Sequence, residues 1–236
     1  MTSQPPKPVI RPGLFGTAVA ADGLRAYFDA KNEQFICSGV RPAAVFIGDS
    51  ITQLLEPNAF FPEVNGILIN RGIGGDDTAY LRKRFEADAL QLSPELIVML
   101  IGTNDMGLRL ELLNDAITGT ICDNVAAMAA QAKQHHTRLA ICSILPVWGP
   151  SFYPVPEFTR RRNAQIVACN SRLLAIAQDH GALYVDYHAA MLDENNQLWR
   201  TLSDDGIHPN YDGFVVMMGV LRQTLRRAGI VVLNKV

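Results

Sequence analysis

Several things are scarce or missing in this chain of 236 residues, and each absence narrows its role. Net charge is nearly absent: 21 Lys and Arg meet 23 Asp and Glu, leaving −2. That balance gives no electrostatic footprint for nucleic acid, and no nucleic-acid partner is expected. No apolar run reaches the ~18 residues that a spanning helix needs, so no membrane span is expected. The opening stretch, MTSQPPKPVIRPG, is polar and proline-rich and lacks the apolar h-region of a secretory signal. A cytoplasmic location is the expectation that follows. Cysteines number four, Cys37, Cys122, Cys142 and Cys169, with no CxxC pair among them. They read as buried free thiols, and no metal or cofactor is called for. There is no N-x-[ST] site, no G-x-x-x-x-G-K-[ST] and no G-x-G-x-x-G.

What is present is a repeated sentence. Short apolar runs at 43–47 (AAVFI), 66–70 (GILIN), 96–101 (LIVMLI), 138–144 (RLAICSI) and 182–187 (ALYVDY) read as buried strands. Helical stretches lie around them, at about 17–35, 77–90, 110–134, 157–179 and 211–227. Continuous apolar strands alternating with helices predict an α/β protein whose parallel sheet is covered on both faces. The length fits one domain, residues 15–236, preceded by an extended arm over 1–14.

Four polar stretches sit at the ends of this pattern. VFIGDSITQ places Ser50 just after the first strand; NRGIGGDDT places Gly75 after the second; IGTND places Asn104 after the third. DDGIHPN, 204–210, precedes the last helix. Loops after parallel strands emerge on one edge of such a sheet, so residues remote in sequence converge there. Each has a plain reading. Ser50 can cap a helix starting at Ile51, the glycines can be ordinary turn residues, and Asn104 or Asp105 can cap the next helix. Together they fit chemistry better. A serine hydroxyl needs a base, and the base needs an orienting acid. His208 is the best base of five histidines, in a Gly/Pro-punctuated loop three residues after Asp205, with Asp204 a nearby competitor. Acyl transfer also needs donors for an oxyanion. The Ser50 and Gly75 backbone N–H groups and the Asn104 side chain are candidates.

The blocks GDSIT, NRGIGGD, GTND and DGIHPN, in this order over about residues 43–225, resemble those of the SGNH hydrolases, also called GDSL esterases/lipases. Members include enzymes similar to platelet-activating-factor acetylhydrolase and carbohydrate acetylesterases. The resemblance implies a flavodoxin-like three-layer α/β/α sandwich with a five-stranded parallel sheet. It implies Ser50 as nucleophile, His208 as base, Asp205 as its orienting acid, and an oxyanion hole of Ser50, Gly75 and Asn104. Serine is not set in G-x-S-x-G, so this is not an α/β-hydrolase elbow. Asp49, Asp76 and Asp105 read as loop-bracing rather than catalytic, with Asp49 also a candidate at the substrate-binding rim.

The substrate expected is a small-molecule ester, acetyl first, of a sugar or small metabolite. The connection LPVWGPSFYPVPEF, 145–158, offers Trp148, Phe152 and Tyr153 as an aromatic wall, or packs as core. Arg160, Arg161 and Arg162 beside it can meet an acidic substrate or form a solvated helix face. Lysophospholipase and thioesterase chemistry remain alternatives within the family. A flavodoxin-like phosphate- or nucleotide-binding module is the alternative from another class, through its glycine turn. Self-association into a homo-oligomer stays open.

Overall fold

The structure, a computed structural model, describes residues 8–107, 114–149, 156–230 and 233. Five parallel strands form its centre: β1 (Ala44–Gly48), β2 (Leu68–Gly72), β3 (Leu96–Leu100), β4 (Arg138–Cys142) and β5 (Leu183–Val185), in the order β2-β1-β3-β4-β5. This is the flavodoxin-like order. The strands fall on the apolar runs of the sequence, with no end displaced by more than two residues. The second run shifts furthest, because Arg71 and Gly72 belong to β2 while Gly66 and Ile67 precede it.

Period two divides each strand between two cores. Val45, Ile47, Ile97, Met99, Leu139 and Ile141 face one side. Ala44, Phe46, Leu96, Val98, Leu100, Ala140 and Cys142 face the other. Against the first side pack α4 (Thr78–Asp88), α5 (Asp115–Gln134) and α6 (Pro156–His180). Against the second pack α2 (Ser50–Gln53), α7 (Tyr187–Ala190) and α8 (Tyr211–Arg227), with α3 (Pro57–Phe60) beside α2. Both faces are covered, and the strands are accordingly apolar on both.

The N-terminal stretch predicted as one helix divides into a 3₁₀ turn, Ala20–Leu24, and α1, Arg25–Ser38. The Asp22 carboxylate inside that turn accepts the Phe15 and Gly16 N–H groups. Further back, Ile10 exchanges two hydrogen bonds with the Gln91 side chain. Helix α5 starts at Asp115 behind the Asn114 cap; the expected start near 110 lies outside the described residues. One cysteine expectation is corrected: Cys122, Cys142 and Cys169 are buried, but Cys37 is exposed near the end of α1. No described helix is long and apolar enough to cross a membrane.

The topology decides where chemistry can sit. β1 is an interior strand, with β2 on one side and β3 on the other, and Gly48 pairs with both Gly72 and Leu100. The three strands end level. Chain order reverses at β1, which opens a crevice at their C-terminal ends.

Candidate active site

Ser50, Gly75 and Asn104 leave the ends of three neighbouring strands and meet over that crevice. Ser50 is the first residue of α2, and its cap is Asp49, whose Oδ1 accepts the Ile51 N–H at 3.0 Å. The reading of Ser50 itself as the cap is thereby replaced. Its hydroxyl is engaged elsewhere, 2.8 Å from His208 Nε2. His208 Nδ1 lies 2.6 Å from Asp205 Oδ2.

The acid–base loop is rigid for local reasons. Asp205 Oδ1 accepts the Ile207 N–H at 2.9 Å, the His208 N–H at 2.8 Å and the Ser203 hydroxyl at 3.2 Å. One oxygen holds the loop and the other holds the imidazole. Partial burial pushes the Asp205 carboxyl up, but the His208 ring and the two backbone N–H bonds outweigh it and hold it below the ordinary carboxylate range. Asp204 points elsewhere, accepting from Asn210 Nδ2 at 3.3 Å. Gly206 has φ +86°, and a Cβ there would stand 2.1 Å from the Trp148 carbonyl oxygen. Only glycine closes this turn.

The donors also assemble. Among the described residues, neither the Ser50 nor the Gly75 backbone N–H has an intramolecular acceptor. Asn104 Nδ2 gives one hydrogen to the Asp76 carbonyl at 2.8 Å and keeps its second. Among the described residues, three N–H groups on neighbouring loops are thus left without an acceptor.

The acidic motif residues brace these loops. Asp105 accepts both the N–H and the hydroxyl of Thr78, tying the Asn104 turn to the start of α4. Asp76 is fully buried; burial pushes its carboxyl up to about 6 against the pull of Arg84. Burial likewise takes Asp105 to about 6 and Asp49 to about 7. Asp49 has no exposed surface, so its place at a substrate-binding rim is withdrawn: the side chain turns inward to cap α2.

Trp148 stands beside the acid–base loop. Its backbone N–H donates to the Gly206 carbonyl at 3.1 Å, and the Arg200 guanidinium lies over its ring at 5.1 Å. Phe152 and Tyr153 lie outside the described residues. The arginine run separates into different roles. Arg160 pairs with Glu157 on the surface. Arg162 is buried and donates to the Thr103 carbonyl at 2.8 Å and to the Gly107 carbonyl, clamping the Asn104 turn. For Arg162 the reading as a substrate contact or solvated face is replaced by a structural one. Among the described residues, no group of three or more His, Cys, Asp or Glu is placed to hold a metal.

Sequence reasoning missed Arg84. It sits on α4, wholly buried, and gives hydrogen bonds to Asp76, Asp88, the Arg71 carbonyl and the Gly48 carbonyl. In the sequence it is one of three basic residues in LRKRF and looks like helix surface. The one local sign was Asp88 four residues on, a pairing that surface helices also use.

The family model described as GDSL-like Lipase/Acylhydrolase matches residues 46–215. Platelet-activating factor acetylhydrolase IB subunit alpha1 of Bos taurus is 28% identical over 189 residues, 79% of this chain and 76% of that one. The crystal structure of a GDSL-like lipase from Bacteroides thetaiotaomicron superposes with a TM-score of 0.70 at 26% identity, covering 86% of this chain and 97% of that one. Axe2, an acetylxylan esterase from Geobacillus stearothermophilus, shares the fold, with a TM-score of 0.63 at 21% identity over 83% of this chain and 97% of that one.

Proposed function

The chain belongs to the GDSL-like lipase/acylhydrolase family of carboxylic ester hydrolases, and from that premise we propose that it cleaves short-chain esters, acetyl first, through an acyl-enzyme on Ser50. One observation carries the assignment of residues: the Ser50 hydroxyl, the His208 ring and the Asp205 carboxylate form one hydrogen-bonded line of 2.8 and 2.6 Å beside unpartnered N–H donors.

The steps follow from that line. His208 Nε2 takes the Ser50 proton as Oγ bonds to the ester carbonyl carbon. The carbonyl electron pair moves to oxygen, where the Ser50 and Gly75 N–H groups and the Asn104 amide receive the charge. The imidazolium returns the proton to the leaving alcohol as the C–O bond breaks. Water then loses a proton to the same nitrogen as it attacks the acyl carbon; the imidazolium returns that proton to Ser50 Oγ as the acyl–oxygen bond breaks, releasing the acid and free serine. Asp205 keeps Nδ1 protonated and Nε2 free to accept.

For the acyl group, the name of the 28%-identical relative, an acetylhydrolase, supports acetyl. For the alcohol, a sugar or small metabolite is proposed; the acetylxylan esterase likeness supplies the fold alone. The test is hydrolysis of p-nitrophenyl esters of increasing chain length and of acetylated sugars, with peptide mass after a fluorophosphonate. Expected are acetyl preference, an adduct on the Ser50 peptide, and loss of turnover in Ser50→Ala and His208→Ala. Wild-type rates in both variants, or an adduct elsewhere, would overturn the site. Preference for octanoyl esters, lysophospholipids or acyl thioesters would overturn the substrate class.

A further inference from the structure

We infer that Arg84 is a positioning residue that sets the spacing of all three oxyanion donors from beneath the site. This rests on the proposed hydrolytic reading of Ser50 and adds a residue that the reaction itself does not touch.

The geometry is specific. A guanidinium has five N–H donors in a planar fork. In Arg84 all three nitrogens donate, in four hydrogen bonds. Nε donates to Asp76 Oδ2 at 2.8 Å, and Nη2 reaches the same oxygen at 2.7 Å. Nη1 donates to the Arg71 carbonyl at 2.9 Å and to Asp88 Oδ2 at 3.0 Å. Nη2 also donates to the Gly48 carbonyl at 3.0 Å. One rigid group therefore joins the last residue of β1, the end of β2 and the turn that follows β2.

Each joined segment carries a donor. Gly48 lies two residues before Ser50, and its carbonyl also accepts the Ile73 N–H at 3.0 Å. Asp76 directly follows Gly75, and its N–H closes the turn onto the Ile73 carbonyl at 3.1 Å. The Asp76 carbonyl holds the Asn104 amide. Ser50 through Gly48, Gly75 through Asp76, and Asn104 through the Asp76 carbonyl are all referred to one side chain. A donor hole works only when its N–H groups reach the anion together, and a 1 Å misplacement costs about 100-fold. A shape-setting role explains why a whole guanidinium, costly to bury, lies under these turns.

Arg84 is held in turn. Asp88 accepts from Arg25 of α1 through both oxygens. Arg25 is also buried, yet among the described residues it bonds to none of the donor-bearing segments; its other partner is Asp29. It is the matched control: a buried arginine in the same ion network, one partner removed from the site.

The experiment compares Arg84→Lys with Arg25→Met in the full chain, reading kcat, KM, melting temperature and inhibition by two small molecules. A boronic acid makes a tetrahedral anion on serine; acetate, the product, stays planar. A lysine ammonium cannot span three segments. Expected for Arg84→Lys is a kcat lower by about 10- to 100-fold, with KM within about twofold. The boronic acid should weaken by the same factor and acetate not at all. Arg25→Met should lower the melting temperature while leaving kcat and boronic acid affinity within about threefold of wild type. Should Arg84→Lys fail to fold, Asp76→Asn keeps the shape, removes the anchoring charge, and must show the same split at smaller size. Unchanged kcat in a folded Arg84→Lys overturns the inference. So does equal loss of boronic acid and acetate affinity, or equal kcat loss in Arg25→Met. A wild-type enzyme whose Ser50 is not acylated or phosphonylated instead removes the hydrolytic reading, and this inference with it.

Discussion

Ser50 Oγ and His208 Nε2 lie 2.8 Å apart although 158 positions separate them in the chain. Nothing local to either residue makes that contact. It arises because β1 ends between β2 and β3 at the edge where the chain order reverses, and the loop before α8 returns across the same edge. The loop then fixes its own acid: Asp205 receives three donors on one oxygen and the imidazole on the other.

That division of labour separates two adjacent aspartates. Asp205→Asn should keep the loop, because the amide oxygen still accepts backbone N–H groups, but it cannot hold the imidazolium. The expected loss is about 10³- to 10⁴-fold in kcat. Asp204→Asn, exposed and bonded only to the Asn210 side chain, should stay within about twofold of wild type. Steady-state rates on p-nitrophenyl acetate decide this, and comparable losses in both variants would reverse the choice of acid.

Asn104→Ala removes a donor without removing the nucleophile. The expected cost is about 100- to 1,000-fold in kcat, with little change in KM. Fluorophosphonate labelling of Ser50 should slow as well, since that reaction also builds negative charge on oxygen. An unaffected labelling rate would exclude Asn104 from the hole.

Gly75 meets two constraints at once. Its φ is +79°, and an added Cβ would lie 3.1 Å from the Ala20 Cβ in the N-terminal 3₁₀ turn. Gly75→Ala should therefore reduce kcat by about tenfold or more as the N–H tilts away. Replacing Ala20 with glycine in that background removes the collision but not the unfavourable φ. Partial recovery of kcat is the expected outcome; full recovery would assign the whole effect to crowding.

Much of this was legible in the chain. The apolar runs located all five strands, and the polar blocks at their ends located Ser50, Gly75, Asn104, Asp205 and His208, which the structure brings to one edge. What sequence could not show is depth. Arg84 and Arg162 sit in basic runs, LRKRF and TRRRN, that read as solvated faces. Both donate to backbone carbonyls remote in the chain, Gly48 and Arg71 for Arg84, Thr103 and Gly107 for Arg162, and a carbonyl leaves no mark in sequence. Asp49 shows the same limit from the other side: its position next to Ser50 suggested a place at the substrate, whereas α2 needed it as a cap.

Asp49 also makes stability depend on pH in an unusual direction. Its Oδ1 accepts the Ile51 N–H, but its Oδ2 has no partner among the described residues. Burial, with smaller contributions from Asp76 and Asp105, pushes the carboxyl from 3.8 up to about 7. The folded protein therefore keeps a proton that the unfolded chain releases near pH 4. Stability contributed by this group is full below that point and is lost as pH rises toward 7, the opposite of a salt-bridged carboxylate. An asparagine in its place would be neutral throughout and would lack the penalty. Asp49→Asn should melt above wild type by a small margin at pH 5 and by several degrees at pH 8, where the charged form costs a few kcal/mol. Asp88 and Asp205, held low by their partners, titrate below this window, while Asp76 and Asp105, raised by burial to about 6, titrate inside it in both proteins. Melting curves of the two proteins from pH 5 to pH 8 give the test. A difference that stays flat, or shrinks as pH rises, would mean that the buried Asp49 carboxyl is not protonated in the folded enzyme.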